Sequence, residues 1–304
     1  CGERAVTLSQ RLSHFLAEEP EAVRWYSHRR GRFALNLTPM DIASPIQEIR
    51  EQVGATWILT SATLAVAQHF EHFTRRLGLE NCREMIVPTP FDYASQTRFW
   101  QPSDLPEPND RRHTVTLLEK VRPLLQASQG RAFLLFTSHR ALREAAQWLR
   151  ANTAFNLLVQ EESTRRTLLR RFMEEPNSLL LGAASFWEGV DVPGERLSVV
   201  VIDKLPFAPP DDPIVDAMVK AAEERGERAF TSVQMPHAVL SLKQGVGRLI
   251  RQAEDFGVLV IGDTRIKTRP YGRIFIKSLP DITPVDSVEE AVDFLYDHFK
   301  ELDE

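Results

Sequence analysis

Ala132-Phe133-Leu134-Leu135-Phe136-Thr137-Ser138 is a run of five apolar residues closed by two hydroxyls. A run this short and this continuous fits a strand buried on both faces. The hydroxyls suit the turn that follows, and residues 140–151 then carry the spacing of an amphipathic helix. The same alternation extends in both directions. Helical spacing covers 114–127. Downstream come a strand at 156–159, a helix at 163–174 with Leu168, Leu169 and Phe172 inward, strands at 178–181 and 197–202, a helix over 236–252 and a strand at 257–261. Apolar strands alternating with helices predict an α/β fold whose mostly parallel sheet is flanked by helices on both faces. In such sheets ligands sit beyond the carboxyl ends of the strands.

The first third of the chain is less regular. Helical spacing of Leu8, Leu12, Phe15 and Leu16 predicts a helix within 1–27, with Trp25 and Tyr26 ending it. Alternating Phe33, Leu35 and Leu37 predict a strand, 46–53 a helix, and 56–60 a short buried strand running into Ser61-Ala62-Thr63. Prolines 88, 90, 102, 106 and 108 mark 86–113 as a linker. Ser287-Val288-Glu289-Glu290 is a capping-box signature that opens a last helix through Phe299.

Composition narrows the class. The 304 residues, 43% hydrophobic and 26% charged, suit an ordinary globular protein of one to two domains. A net charge of −5 gives no global attraction to nucleic acid, though Arg29-Arg30-Gly31-Arg32 and the four arginines 165, 166, 170 and 171 leave room for local basic surfaces. Two cysteines, Cys1 and Cys82, cannot form a cysteine-ligated cluster or a disulfide framework, and a reducing, cytoplasmic setting is the natural reading. His69 and His72, with no third ligand in view, read as surface histidines. No apolar run reaches membrane-spanning length. A start without methionine, straight into helical sequence, suggests a piece of a longer protein.

Three stretches carry chemistry. In Gln244-Gly245-Val246-Gly247-Arg248-Leu249-Ile250-Arg251, a helix would place Gln244, Arg248 and Arg251 on one face and Val246, Leu249 and Ile250 on the other. Guanidinium forks suit a polyphosphate; the pattern alone also fits two solvated arginines on a surface helix. In Ala184-Ser185-Phe186-Trp187-Glu188-Gly189-Val190-Asp191-Val192-Pro193-Gly194, Asp191 suits a ribose hydroxyl and Gly189 lets backbone approach phosphate. The hydroxyls Thr60, Ser61 and Thr63, and likewise Thr137 and Ser138, suit phosphates or a relay between two ligands; taken singly, each also fits a helix cap. Lys204-Leu205-Pro206-Phe207 is a rigid connection that presents Phe207.

Taken in order, Thr60–Leu64, Leu134–Ser138, Ser185–Gly194 and Gln244–Arg251, with Lys204–Phe207, Tyr271-Gly272 and Ser278-Leu279-Pro280, resemble the XPD/DinG family of superfamily 2 DNA helicases in its bacterial, DinG/YoaA-like branch. The first four correspond to helicase motifs III, IV, V and VI. The chain contains no Gly-x-x-x-x-Gly-Lys-[Ser/Thr] loop, no Asp-Glu-Ala-His box and no four-cysteine cluster. The resemblance therefore implies the C-terminal half of such a protein: the end of the arch region in 1–45, the last strand and helix of helicase lobe 1 in 46–85, the linker, and a RecA-like lobe 2 in 114–304.

The function so implied is that of an ATP-dependent 5′–3′ DNA helicase acting in repair or replication, inactive as this chain alone. Arg248, Arg251 and Gln244 would act on the γ-phosphate, with Glu188, Gly189 and Asp191 on the ATP side. Thr137, Ser138, Ser185 and Phe207 would hold the single strand, and Thr60, Ser61 and Thr63 would couple the two sites. ATP and Mg²⁺ would be shared with the missing first lobe, which would also carry the iron–sulfur cluster. Expected partners are single-stranded and forked DNA, the missing lobe, and the DNA polymerase III chi subunit or single-strand-binding protein, with no membrane. The alternative is a non-catalytic docking module whose exposed segment 287–304 takes the chi subunit.

Overall fold

The computed structural model describes the chain except residues 1, 18–21, 30, 184, 185, 187–191, 193–195, 210 and 304, and the side chains of 29 and 301–303. In chain order the elements are α1 (Gly2–Leu16), β1 (Ala22–Arg29), β2 (Arg32–Pro39), α2 (Ala43–Val53), α3 (Glu71–Arg76), α4 (Tyr93–Gln96), β3 (Thr97–Trp100), α5 (His113–Ala127), β4 (Ala132–Phe136), α6 (His139–Asn152), β5 (Asn156–Val159), α7 (Arg165–Glu174), β6 (Ser178–Ala183) and β7 (Val199–Ile202). There follow α8 (Pro213–Glu224), a π-helical stretch Phe230–Gln234, α9 (Met235–Val246), β8 (Gly257–Ile261), α10 (Arg265–Thr268), α11 (Gly272–Ser278), β9 (Thr283–Val285) and α12 (Val288–Asp303). These form two compact units: Cys1–Met85 with Ala208–His237, and Ile86–Phe207 with Ala238–Glu304.

In the first unit β1 and β2 form an antiparallel hairpin, with Tyr26 opposite Leu35. Val23, Trp25 and Tyr26 favour an extended backbone, so β1 takes the place of the helix expected there, and α1 ends at Leu16. Gly54, at φ 60°, closes α2 in the left-handed region and donates to the Arg50 carbonyl. Asp212 caps α8 by accepting from Ile214 and Val215 (2.9 and 3.0 Å), and Ala222, Ala229 and Val233 make a small core. The strand expected at 56–60 is not formed. The segment has no ladder partner among the described residues, and Ile58 is 85% exposed. An apolar run becomes a strand only where another backbone completes its hydrogen bonds.

The second unit is built on a seven-stranded sheet in the order β5-β6-β4-β7-β8-β3-β9, parallel throughout. Ala132, Leu134, Phe136, Leu179, Leu181, Val199, Val201, Val258 and Val260 pack in one core with α5, α6 and α12. The residues of opposite parity (Phe133, Leu135, Leu180, Val200, Ile202, Leu259 and Ile261) are equally buried. Both faces are therefore covered, as the continuous apolar runs require.

Two departures concern the edges of this sheet. The segment expected as a linker contributes β3, with Thr97 and Trp100 buried against β8 and β9; four residues between prolines give too short a period to be read. Edge strand β9 contains Pro284, which a central strand would exclude because proline has no amide donor. The last helix begins as its signature predicts: Ser287 Oγ accepts from the Glu290 amide (3.2 Å) and Glu290 accepts from the Asp286 amide (3.3 Å). It is not an exposed appendage, because Ala291, Phe294 and Leu295 belong to the core. No helix among the described residues is long and apolar enough to cross a membrane.

Candidate functional site

Parallel strands deliver their carboxyl ends to one edge of the sheet, and there β4 runs out into Thr137-Ser138, β6 into Ala183, β7 into Asp203-Lys204 and β8 into Gly262-Asp263. Ser138 has extended backbone and caps α6, accepting from the Ala141 amide (3.1 Å). Its hydroxyl hydrogen is not used in that bond. Thr137 points its donors elsewhere than expected: its amide donates to Asp203 Oδ1 (2.8 Å) and its hydroxyl to Oδ2 (3.3 Å). Ser185, Glu188, Gly189 and Asp191, expected to contact the strand or the nucleotide, lie outside the described residues.

Two buried carboxylates organise this edge. Burial pushes Asp203 up to about 7, against the Lys204 charge and the hydrogen bonds from Thr137 and Lys204, which pull it down. Asp263, fully buried, accepts from the Leu205 amide (2.9 Å), the Arg265 amide (3.0 Å) and the Arg265 guanidinium (2.7 Å at Nη2). His113, at the start of α5, donates through Nε2 to the Gly262 carbonyl (2.7 Å), and burial lowers its pKa. A side chain at Gly262 would meet Leu117 at 2.6 Å and the Asp203 carbonyl at 2.7 Å, so only glycine lets β8 pass there. Sequence reading missed Asp203, Asp263, His113 and Arg265. The available signal was a carboxylate placed directly after an apolar run, at Ile202-Asp203 and at Ile261-Gly262-Asp263.

Phe207 is half-buried and sits edge-on to Tyr271 (5.8 Å between centroids) and Phe275 (5.7 Å), with the Arg265 guanidinium 5.7 Å from its ring centre. The guanidinium that Asp263 holds therefore lies beside this ring. Thr60, Ser61 and Thr63 belong to the other unit, in a turn where the Thr63 amide donates to Ser61 Oγ (3.2 Å).

Gln244 lies in the last turn of α9, but Arg248 and Arg251 do not continue its face. The helix ends at Val246. The next bonds are short-range, Arg248 amide to Gly245 carbonyl (3.3 Å) and Leu249 amide to Val246 carbonyl (3.0 Å). The amides of Arg251 and Gln252, which a longer helix would spend on carbonyls four residues back, go to Asp255 Oδ2 (2.7 and 2.9 Å). Asp255 is buried, and Gln96 ties the same turn down through the carbonyls of Ala253 and Asp255. The two glycines lower the helix propensity here, and the carboxylate supplies the competing partner.

The arginine turn leads into the amino end of β8, whereas Thr137, Ser138 and Phe207 stand at the carboxyl edge. One continuous sheet thus carries two sets of polar groups at opposite ends. Among the described residues no three His, Cys, Asp or Glu side chains gather as a metal site.

The sequence pattern of the family described as helicase C-terminal domain matches residues 121–282. The chain is 43% identical over 294 residues to the ATP-dependent DNA helicase YoaA of Escherichia coli K12, covering 96% of this chain and 46% of that protein. It is 34% identical over 284 residues to the ATP-dependent helicase DinG of Mycobacterium tuberculosis H37Rv, covering 90% and 43%. The chain thus spans about half the length of the curated relatives it matches. Among solved structures it is similar to an XPD helicase (TM-score 0.60, 17% identity, 88% of this chain and 48% of that one) and to S. tokodaii Xpd4 (0.55, 16%, 83% and 50%). At that identity the likeness shows the fold, a RecA-like helicase lobe.

Proposed function

The chain belongs to the helicase C-terminal domain family, in an XPD/DinG/YoaA-like branch, and from that premise we propose that it is the second motor lobe of an ATP-dependent 5′–3′ DNA helicase. Gln244, Arg248 and Arg251 act on a triphosphate whose Mg²⁺ and phosphate loop are supplied by another lobe. Ser138, Ser185 and Phe207 take the single strand, and Thr137 serves it by shaping the turn. Glu188, Gly189 and Asp191 line the nucleotide side, and Thr60, Ser61 and Thr63 link the two events.

The observation that carries this reading is the separation of the two polar sets by one continuous sheet. An arginine that meets the transferred phosphoryl only when lobes close stabilises its developing charge, an effect worth about 10³–10⁵ in rate where measured. Because the turn holding Arg251 and the turn holding Ser138 are built on strands of one sheet, closure on nucleotide moves the DNA contacts as one body.

The test is Arg248→Ala in the full-length protein. ATP hydrolysis and unwinding are expected to vanish while single-strand affinity stays near wild type. Loss of DNA binding with hydrolysis retained would place this turn on the DNA instead and end the proposal.

A further inference from the structure

Asp255 is gripped at both ends. Its carboxylate holds the amides of Arg251 and Gln252, and its own carbonyl is taken by Gln96. The side-chain amide of Gln96 has two hydrogens, and it gives them to two carbonyls of one turn, Ala253 at 2.6 Å and Asp255 at 2.9 Å. A stretch that has left the helical path has no ladder of its own to fix it, so side chains from elsewhere must. Here one side chain takes the amides and another takes the carbonyls.

Gln96 is held as a fixed point. It ends α4 immediately before β3, and β3 runs parallel to β8 with Thr97 opposite Gly257. The residue before β3 and the turn before β8 therefore meet at the amino edge of the sheet, the edge that carries the arginines. Around Gln96, Asp92 caps α4 by accepting from the Ser95 amide (3.3 Å), Thr283 donates to the Ala94 carbonyl (2.7 Å) and the Arg98 guanidinium donates to the Ser95 carbonyl (3.2 Å). This is also the segment by which the chain enters the second unit, which begins at Ile86. The other wall of the turn is equally fixed: Leu249 is fully buried, and a side chain at Gly257 would meet it at 2.6 Å.

A guanidinium that stabilises a transferred phosphoryl has to be placed to within about 1 Å. We propose that Gln96 is a positioning residue for the triphosphate chemistry, setting the turn from which Arg248 and Arg251 reach the transferred phosphoryl. The proposal rests on reading that turn as the γ-phosphate contact. The competing role is a brace that adds stability and nothing else.

The two roles differ in which nucleotide state they affect. A misplaced arginine loses affinity for a mimic of the transferred phosphoryl more than for the diphosphate, whereas a weakened brace lowers the folded fraction and leaves the ratio of the two affinities alone. Binding of a fluorescent ADP to the full-length protein, with Mg²⁺ and single-stranded DNA, is measured with and without aluminium fluoride. Gln96→Met keeps the length of the side chain and removes both donors. It is expected to weaken binding with aluminium fluoride about tenfold or more, and to leave binding of ADP alone within about twofold of wild type. Equal loss in both states, or loss in neither, overturns the proposal. An Arg248→Ala protein that keeps the wild-type ratio would instead sink the γ-phosphate reading on which it rests. Should Gln96→Met not fold, Gln96→His, which keeps one ring N–H of similar reach, takes its place. A smaller loss confined to the aluminium fluoride complex is then expected, and a wild-type ratio overturns the proposal.

Discussion

Thr137 gives both of its donors to one carboxylate, the amide to Asp203 Oδ1 at 2.8 Å and the hydroxyl to Oδ2 at 3.3 Å. The contact ties the turn after β4 to the end of the neighbouring β7. It also commits both donors of a threonine expected to touch DNA to shaping the turn that carries Ser138.

The burial of that carboxylate makes stability depend on pH. Asp203 is raised to about 7 by burial, from an ordinary value of 3.8. Between those values the folded protein holds a proton that the unfolded chain releases. The stabilisation is complete below the unfolded value and is lost as pH rises through the folded one. Asp203→Asn keeps a neutral group with an acceptor for the Thr137 amide. Relative to wild type, its unfolding free energy should gain on the order of 1–3 kcal/mol between pH 5 and pH 8. Urea melts across that range check it; parallel curves for the two proteins would show that Asp203 does not titrate there.

Asp263 predicts the opposite outcome. It is fully buried and accepts from two backbone amides and the Arg265 guanidinium. Asp263→Ala leaves those donors and a mostly covered cation unmatched. Breaking a buried pair typically costs about 3–5 kcal/mol, reduced here because the Arg265 side chain keeps 26% of its exposure. A loss of about 2–4 kcal/mol in denaturant unfolding is expected, and Arg265→Met in the alanine background should recover part of it. A double variant no more stable than Asp263→Ala would deny the pair this role.

Much of the lobe was legible because its physics is local. The apolar runs at 132–136, 156–159 and 257–261 coincide with β4, β5 and β8, and Ser287 with Glu290 caps the last helix as its spacing requires. In the sheet and the first unit, what could not be read depended on partners distant in sequence. β3 is a strand because Gly257–Val260 pairs with it 160 residues later, and 56–60 is not one because nothing described pairs with it. At the candidate site, the identity of Gln244, Arg248 and Arg251 was readable but their placement was not, since Asp255 turns the chain off the helical path.

The last helix gives a third prediction. Leu295 is completely buried while Tyr296 is 48% exposed. Leu295→Ala should cost about 2–5 kcal/mol, and removal of 287–304 should destabilise the lobe severely. Tyr296→Ala should cost under about 1 kcal/mol. Docking of a protein such as the chi subunit must therefore be tested by outward-face substitutions. A truncation that binds less, but also melts lower, says nothing about docking. Thermal melts of the three variants separate the cases, and a Leu295→Ala protein as stable as wild type would contradict the packing described.

Asp255 is the residue that turns a helix into an arginine-bearing loop. It is buried and holds the amides of Arg251 and Gln252 at 2.7 and 2.9 Å. Asp255→Ala removes both bonds, at a stability cost of about 1–3 kcal/mol, and frees the chain to extend α9 or fray. In the full-length protein, ATP turnover should then fall about tenfold or more, since a misplacement of about 1 Å can cost 10²-fold. Asp255→Asn, which still offers an oxygen, should lose less. Single-strand affinity should hold in both, because Ser138 stands at the far edge of the sheet. Turnover at the wild-type rate in Asp255→Ala would mean that the arginines do not depend on this turn for their position.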